Sequence, residues 1–256
     1  MPLKSASNKL ESLCHIQDLY VFEHSIGNRR EIIPIITEYS GATLDFGKEG
    51  QYEFFRVRGA TRASNNSAFH PWHNQVSVTI CHLTQKIRIG PTGQLVMRTK
   101  GVGLGPSLMG HVLSWLELKN ISGYQIDPGQ LSSVDAATAA AREQRNRFYM
   151  AFGFELSNYD GTQTGLDVVE GSFTAKNVGA LSVPDRYKNR LRPWFEFAPH
   201  LKDERETGVR SLASLKKIDR WTYQLSCLSK KFLSLMGWPE PFETRHMHKK
   251  KPWEPD

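Results

Sequence analysis

The chain has 256 residues, 39% hydrophobic and 23% charged, enough to bury a full core in one large domain or in one domain with an appendage. No stretch approaches the roughly 18 uncharged apolar residues that cross a bilayer, and the opening MPLKSASNKLESLCHIQDLY lacks a signal-peptide apolar run, so a cytoplasmic protein without a membrane partner is expected. Three scattered cysteines, Cys14, Cys81 and Cys227, exclude a disulfide framework, and a formal charge of +7 directs attention to where the excess lies.

The first strand-like runs are 52–58 (YEFFRVR) and 75–83 (QVSVTICHL), rich in aromatic and β-branched residues. Between them 59–73 (GATRASNNSAFHPWH) reads as a surface loop. Shorter strand candidates, 86–89 (KIRI) and 94–97 (QLVM), are split by the turn Gly90-Pro91-Thr92-Gly93. From Pro106 the period becomes helical, with Leu108, Val112, Trp115, Leu116 and Leu118 at spacings of three and four up to Asn120. A strand over 124–131 follows. Ser132, Ser133 and Asp135 then offer capping side chains to the run AATAAAREQRNRFYMAF, a second helix that Gly153 should stop. Two further strands are expected at 154–156 and 168–178, the latter interrupted by Gly171.

Past Pro184 an apolar stripe through Leu212, Leu215, Ile218, Leu225, Phe232 and Leu235 predicts helix, with Lys216, Lys217, Arg220, Lys230 and Lys231 on the other face. Residues 1–183 carry a net charge of +1 and residues 184–256 a net of +6. The organisation expected is a domain over 1–183 and a basic helical extension over 184–256. Such an extension attracts RNA or another nucleic acid, an anionic membrane or an acidic protein through sequence-independent charge, and it also occurs as a solvated face that serves solubility alone.

The segment 98–105 carries the most chemistry. Gly101, Gly103 and Gly105 alternate between a strand and a helix, so backbone can approach a bound group while free N–H donors at the helix start point at it. Arg98 and Lys100 add positive charge to the helix dipole, which makes the turn a cradle for a pyrophosphate. The spacing G-x-G-x-G is not that of a dinucleotide-binding turn, and G-x-x-x-x-G-K-[ST] is absent.

Arg98-Thr99-Lys100-Gly101-Val102-Gly103 fits the R/Q-x-x-G-x-G/A pattern of the GNAT acetyltransferase superfamily, and Phe148-Tyr149-Met150-Ala151-Phe152-Gly153-Phe154-Glu155 resembles its F-Y-x-x-x-G-F-E signature. The resemblance covers about residues 75–180. It implies a GNAT-like α/β fold: a mixed, mostly antiparallel central sheet flanked by helices, here with the helical C-terminal extension. It implies an N-acetyltransferase that moves an acetyl or other acyl group from acetyl-CoA to a primary amine on a small molecule, a protein or an aminoacylated tRNA. Backbone amides of Gly101, Val102, Gly103, Leu104 and Gly105, with Arg98, Lys100 and Ser107 nearby, would hold the pyrophosphate of coenzyme A. Val96 and Met97 would line the pantetheine arm, and Tyr149 would protonate the departing thiolate.

The family has no fixed general base, and the candidates here are Glu53, His82 and, less plausibly, His73. Two departures stand out. The turn at 90–93 breaks the strand before Arg98, so an irregular splayed pair is expected. Arg142 and Arg145 occupy the positions seven and four before Tyr149 where the family usually has Asn and Ala, from which they could reach a 3′-phosphate. A zinc site at His70, His73, Cys81 and His82 is disfavoured, because Cys81 and His82 are adjacent on a strand and point to opposite faces. The sequence also leaves open a catalytically silent GNAT-like binding or regulatory module contacting nucleic acid or an acidic protein. It leaves room for a homodimer.

Overall fold

A computed structural model describes residues 3–27, 29–42, 51–60, 69–70, 72–90, 97–207 and 210. The chain divides into two compact units, Met1–Phe197 and Ala198–Asp256. In the second, residues 198–207 are helical; the apolar stripe and basic face expected over 212–235 lie outside the described residues, as does Cys227. Residues 184–197, placed in the extension on sequence grounds, fall in the first unit, where Leu191–Pro193 pairs with a strand near the start of the chain.

The first unit is mixed α/β. In chain order it contains α1 (Leu3–Ser12), β1 (His15–Ile26), β2 (Arg29–Ala42), β3 (Tyr52–Gly59), β4 (Gln75–Cys81), β5 (Lys86–Ile89), α2 (Leu104–Glu117), β6 (Gln125–Asp127), β7 (Gly129–Leu131), α3 (Ala139–Ala151), β8 (Glu155–Ser157), β9 (Gly171–Thr174) and β10 (Leu191–Pro193). A seven-stranded sheet has the order β10-β1-β2-β3-β4-β5-β6, antiparallel throughout except for β5 and β6, which are parallel. A smaller antiparallel sheet has the order β7-β9-β8.

Alternation along the central strands assigns the two faces. On β3, Phe55 and Val57 point with Val76, Val78 and Ile80 of β4 into one core shared with Leu108, Met109, Val112 and Leu116 of α2. Tyr52, Phe54 and Cys81 point the other way, under Leu3, Ala6 and Leu10 of α1. Burying a side chain such as Phe55 contributes ~2–3 kcal/mol. A polar seam accompanies α1: Arg56 is buried between Glu38 (2.7 Å) and Glu11, and Arg58 reaches the other Glu38 oxygen at 2.6 Å.

The run expected as one strand over 124–131 serves two sheets. It pairs with β5 as far as Arg88 opposite Asp127, then re-pairs with β9 from Gly129 onward. Pro128 sits at the changeover, where a residue without an N–H ends one ladder. The parallel pair therefore separates at its C-terminal end, where Met97 and the glycine turn stand.

Candidate functional site

Gly101 and Gly103 adopt φ of +81° and +83°, conformations that a side chain disfavours, and a Cβ built on either meets nothing within 4 Å. The glycines thus serve backbone shape and leave open space above the turn. Gly103 is the N-cap of α2 and no side chain caps it. The amides of Leu104 and Gly105, the first of the helix, have no intrahelical acceptor. Ser107 is turned inward, its hydroxyl donating to the Gly103 carbonyl at 2.8 Å.

Above this turn lies a cavity of about 440 Å³. One wall is Met97, Thr99, Lys100, Gly101, Gly103, Leu104, Gly105 and Pro106; the other is α3, with Gln144, Arg145, Phe148 and Tyr149; Leu131 and Ser132 lie at the end of β7. Lys100 and Arg186 face it without a carboxylate partner among the described residues, whereas Arg147 is paired with Glu143 at 2.5 Å. Against one acidic residue of the lining, Asp135, the cavity is thus positively biased at a helix N-terminus, an arrangement suited to phosphate oxygens.

The structure places the expected residues unevenly. Lys100, Gly101, Gly103, Leu104, Gly105 and Met97 line the cavity. Arg98 does not; its amide donates to the Asn74 side chain instead. Val102 packs toward the core, Ser107 faces elsewhere, and Val96 lies outside the described residues. The two arginines on α3 are engaged structurally. Arg142 stands 3.7 Å from Asp167, and Arg145 donates to the carbonyls of Ser132 (2.6 Å), Val168 (2.7 Å) and Val169 (3.1 Å).

Tyr149 belongs to both the cavity wall and an aromatic cluster. It is 4% exposed, its ring stacks on Phe173 with centroids 4.2 Å apart, and Phe148 and Phe154 meet it edge-on. Its hydroxyl has no hydrogen-bond partner among the described residues. Burial pushes the phenol well above its ordinary value, with the Arg145 charge pulling weakly the other way, so the group stays protonated through neutral pH.

Glu53 is not brought to this cavity. It sits six residues along β3 from Gly59, which packs under Leu104, so about 20 Å of strand separates it from the turn. There its carboxylate accepts from Lys119 (2.6 Å) and Tyr39 (3.1 Å) and bonds His82 Nε2 at 2.8 Å, while His82 Nδ1 meets the Tyr124 hydroxyl at 3.2 Å. Burial opposes the charged form, but the hydrogen bonds and charge of Lys119 and the bond to His82 outweigh it and hold the carboxyl below its ordinary value. Burial and the Glu53 charge push Tyr39 up to about 12. A carboxylate so satisfied, and so placed, is not the base for chemistry at the turn. His82 shares that cluster. His73 stacks on His70 with centroids 3.9 Å apart, also away from the cavity lining. Among the described residues no group of three metal-binding side chains forms, and no helix is long and apolar enough to cross a membrane.

Two residues that sequence reasoning missed shape the site. Asn146 is fully buried and its amide donates to the carbonyls of Leu166 and Val168 at 2.9 Å and of Gly165 at 3.3 Å, fastening α3 to the chain ahead of β9. Asn74 fastens the entry to the glycine turn. Neither has a local sequence signal, because the partners lie 19 to 25 residues away. On another face of α2, a cavity of about 530 Å³ is bordered by Tyr20, Ser107, His111 and Arg190; burial pushes His111 down to about 4, against the charge of Asp18, so it is neutral.

Compared with family models, with curated proteins and with solved structures, the chain matches none.

Proposed function

We propose that the first unit is a GNAT-like, acyl-CoA-dependent N-acyltransferase acting on a primary amine. The observation that carries this reading is the open glycine turn at the uncapped start of α2, facing a 440 Å³ cavity whose opposite wall includes Tyr149. The separation of the parallel pair β5 and β6 at that same end supports it.

The residues present fit the group. Open space above Gly101 and Gly103, the amides that begin α2, and Lys100 and Arg186, which have no carboxylate partner among the described residues, would hold a pyrophosphate; Met97 and Leu131 offer apolar surface to a pantetheine arm. The thioester, when bound, supplies an acyl carbon activated toward amines. Tyr149, a residue of the cavity wall, keeps its phenol proton through neutral pH and is the proton donor in this reading. The stacked ring of Tyr149 also favours a second reading, a catalytically silent module that binds the same ligand and uses the tyrosine only for packing.

Calorimetric titration with acetyl-CoA and coenzyme A tests the assignment on the wild type and on Gly103→Glu, which adds bulk and negative charge to the cradle. The wild type is expected to bind and the variant to lose about a hundredfold or more in affinity, roughly 2.7 kcal/mol. A wild type that binds neither ligand overturns the proposal. Thiol release during an amine-acceptor screen separates the enzyme from the silent module.

A further inference from the structure

Asn74 enters β4 from the loop after β3 and is completely buried, with φ of +51°. Its carbonyl accepts from Gly59 N at 2.8 Å, which anchors it to the end of β3. Its side chain crosses to the glycine turn. Oδ1 accepts from the amides of Arg98 (2.9 Å) and Thr99 (3.0 Å), and Nδ2 donates to Thr99 Oγ1 at 3.0 Å. One amide group thus uses up the two backbone donors just ahead of Lys100 and Gly101, so the donors left for a ligand begin beyond them. Asn74 does not itself line the cavity.

We infer that Asn74 is a positioning residue that presets the glycine turn for a diphosphate ligand; this rests on the acyl-CoA reading above. A turn containing two glycines at positive φ is costly to order, because glycine loses more conformational freedom than any other residue. Three side-chain hydrogen bonds from a rigid sheet end fix the turn's entry before any ligand arrives, so binding does not have to supply that ordering. Asparagine suits the place because it tolerates a left-handed backbone and carries an acceptor and a donor on one planar group.

The test uses the full chain with two variants. Asn74→Gly accepts the same backbone conformation and removes only the side chain; Asn74→Asp retains the acceptor oxygen and loses the Nδ2 donor. Acetyl-CoA affinity is measured by calorimetry, and amide hydrogen exchange is followed peptide by peptide in the ligand-free protein. Asn74→Gly is expected to weaken acetyl-CoA binding about tenfold or more, with faster exchange confined to 98–105. Asn74→Asp is expected to keep exchange slow there, which also serves if the glycine variant does not fold. Wild-type affinity in Asn74→Gly, acceleration spread across the whole sheet, or fast exchange of 98–105 in Asn74→Asp would each overturn the inference. A wild type that binds no acetyl-CoA sinks the acyl-CoA reading first and this inference with it.

Discussion

Both ends of α2 gather polar groups, and they differ in whether those groups are satisfied. Beyond the C-terminal end, Lys119 lies over the Trp115 ring and donates to Glu53, which also bonds His82 and Tyr39. Every charge there has a partner. At the N-terminal end, about 20 Å away along 14 residues of helix, Lys100 and Arg186 have no carboxylate partner among the described residues and the first amides have no intrahelical acceptor, around a cavity instead of a packed cluster. A cluster of titratable groups whose charges cancel does work for the fold. A set of like charges and donors left open is what a ligand completes.

The sharpest structural test acts on the cavity's far wall. Asn146→Leu removes the donor group that satisfies three carbonyls and should cost about 3 kcal/mol of stability, read by urea unfolding. A loss under about 1 kcal/mol would mean that the wall holds without it. Glu53→Gln probes the opposite end and should cost about 2 kcal/mol at pH 7, because Lys119 loses its counter-charge in a largely enclosed site. The sign with pH follows from the lowered carboxyl. Its stabilising contribution is complete above the ordinary value of 4.5 and is lost as pH falls through the folded value below that. The gap between wild type and variant should therefore narrow as pH falls below 4.5 and the wild-type carboxyl protonates as well. An unchanged gap at low pH would show that Glu53 acts by packing, and the contrast between the two ends would weaken.

What was legible in the sequence is what local spacing controls. The glycine turn, α2, α3 and the central strands announce themselves through alternation and helical period, but the cap of α3 is Thr138, which accepts from Ala141 N, and not Ser132, Ser133 or Asp135; Ser132 caps the short turn before it by accepting from Val134 N. The hairpin of β1 and β2 was not read. Only Val21 and Phe22 are buried in β1, so no alternation develops, and Pro34 lies within β2 where it argues against a strand. The remaining cue was Gly27, which takes φ of +58° next to the paired Ile26 and Arg29. Of the candidate site, the cradle was visible because consecutive residues build it. The fate of Glu53 was not, since Lys119 lies 66 residues away and His82 lies 29 away. Residue type identified a base candidate, but only tertiary pairing shows that its charge is already used.

The smallest structural effect belongs to the residue on which the two functional readings divide. Tyr149→Phe keeps the ring on Phe173 and removes a hydroxyl without a hydrogen-bond partner among the described residues, so stability at pH 7 should change by less than about 0.5 kcal/mol. Because burial raises the folded phenol, the wild type should lose stability as pH climbs past the ordinary value of 10, where the unfolded chain ionises first, and the variant should lose less. Acetyl-CoA affinity should stay within about twofold, since the pyrophosphate contacts proposed above would lie across the cavity. Turnover carries the decision. If the Tyr149 proton reaches the departing sulfur, the rate falls about a hundredfold with stability and affinity intact, within the range that general acid catalysis supplies. If the rate is unchanged, the hydroxyl is idle and the ring is one more core aromatic. In that case a working cradle at one end of α2 would remain beside a tyrosine whose place is explained by packing alone.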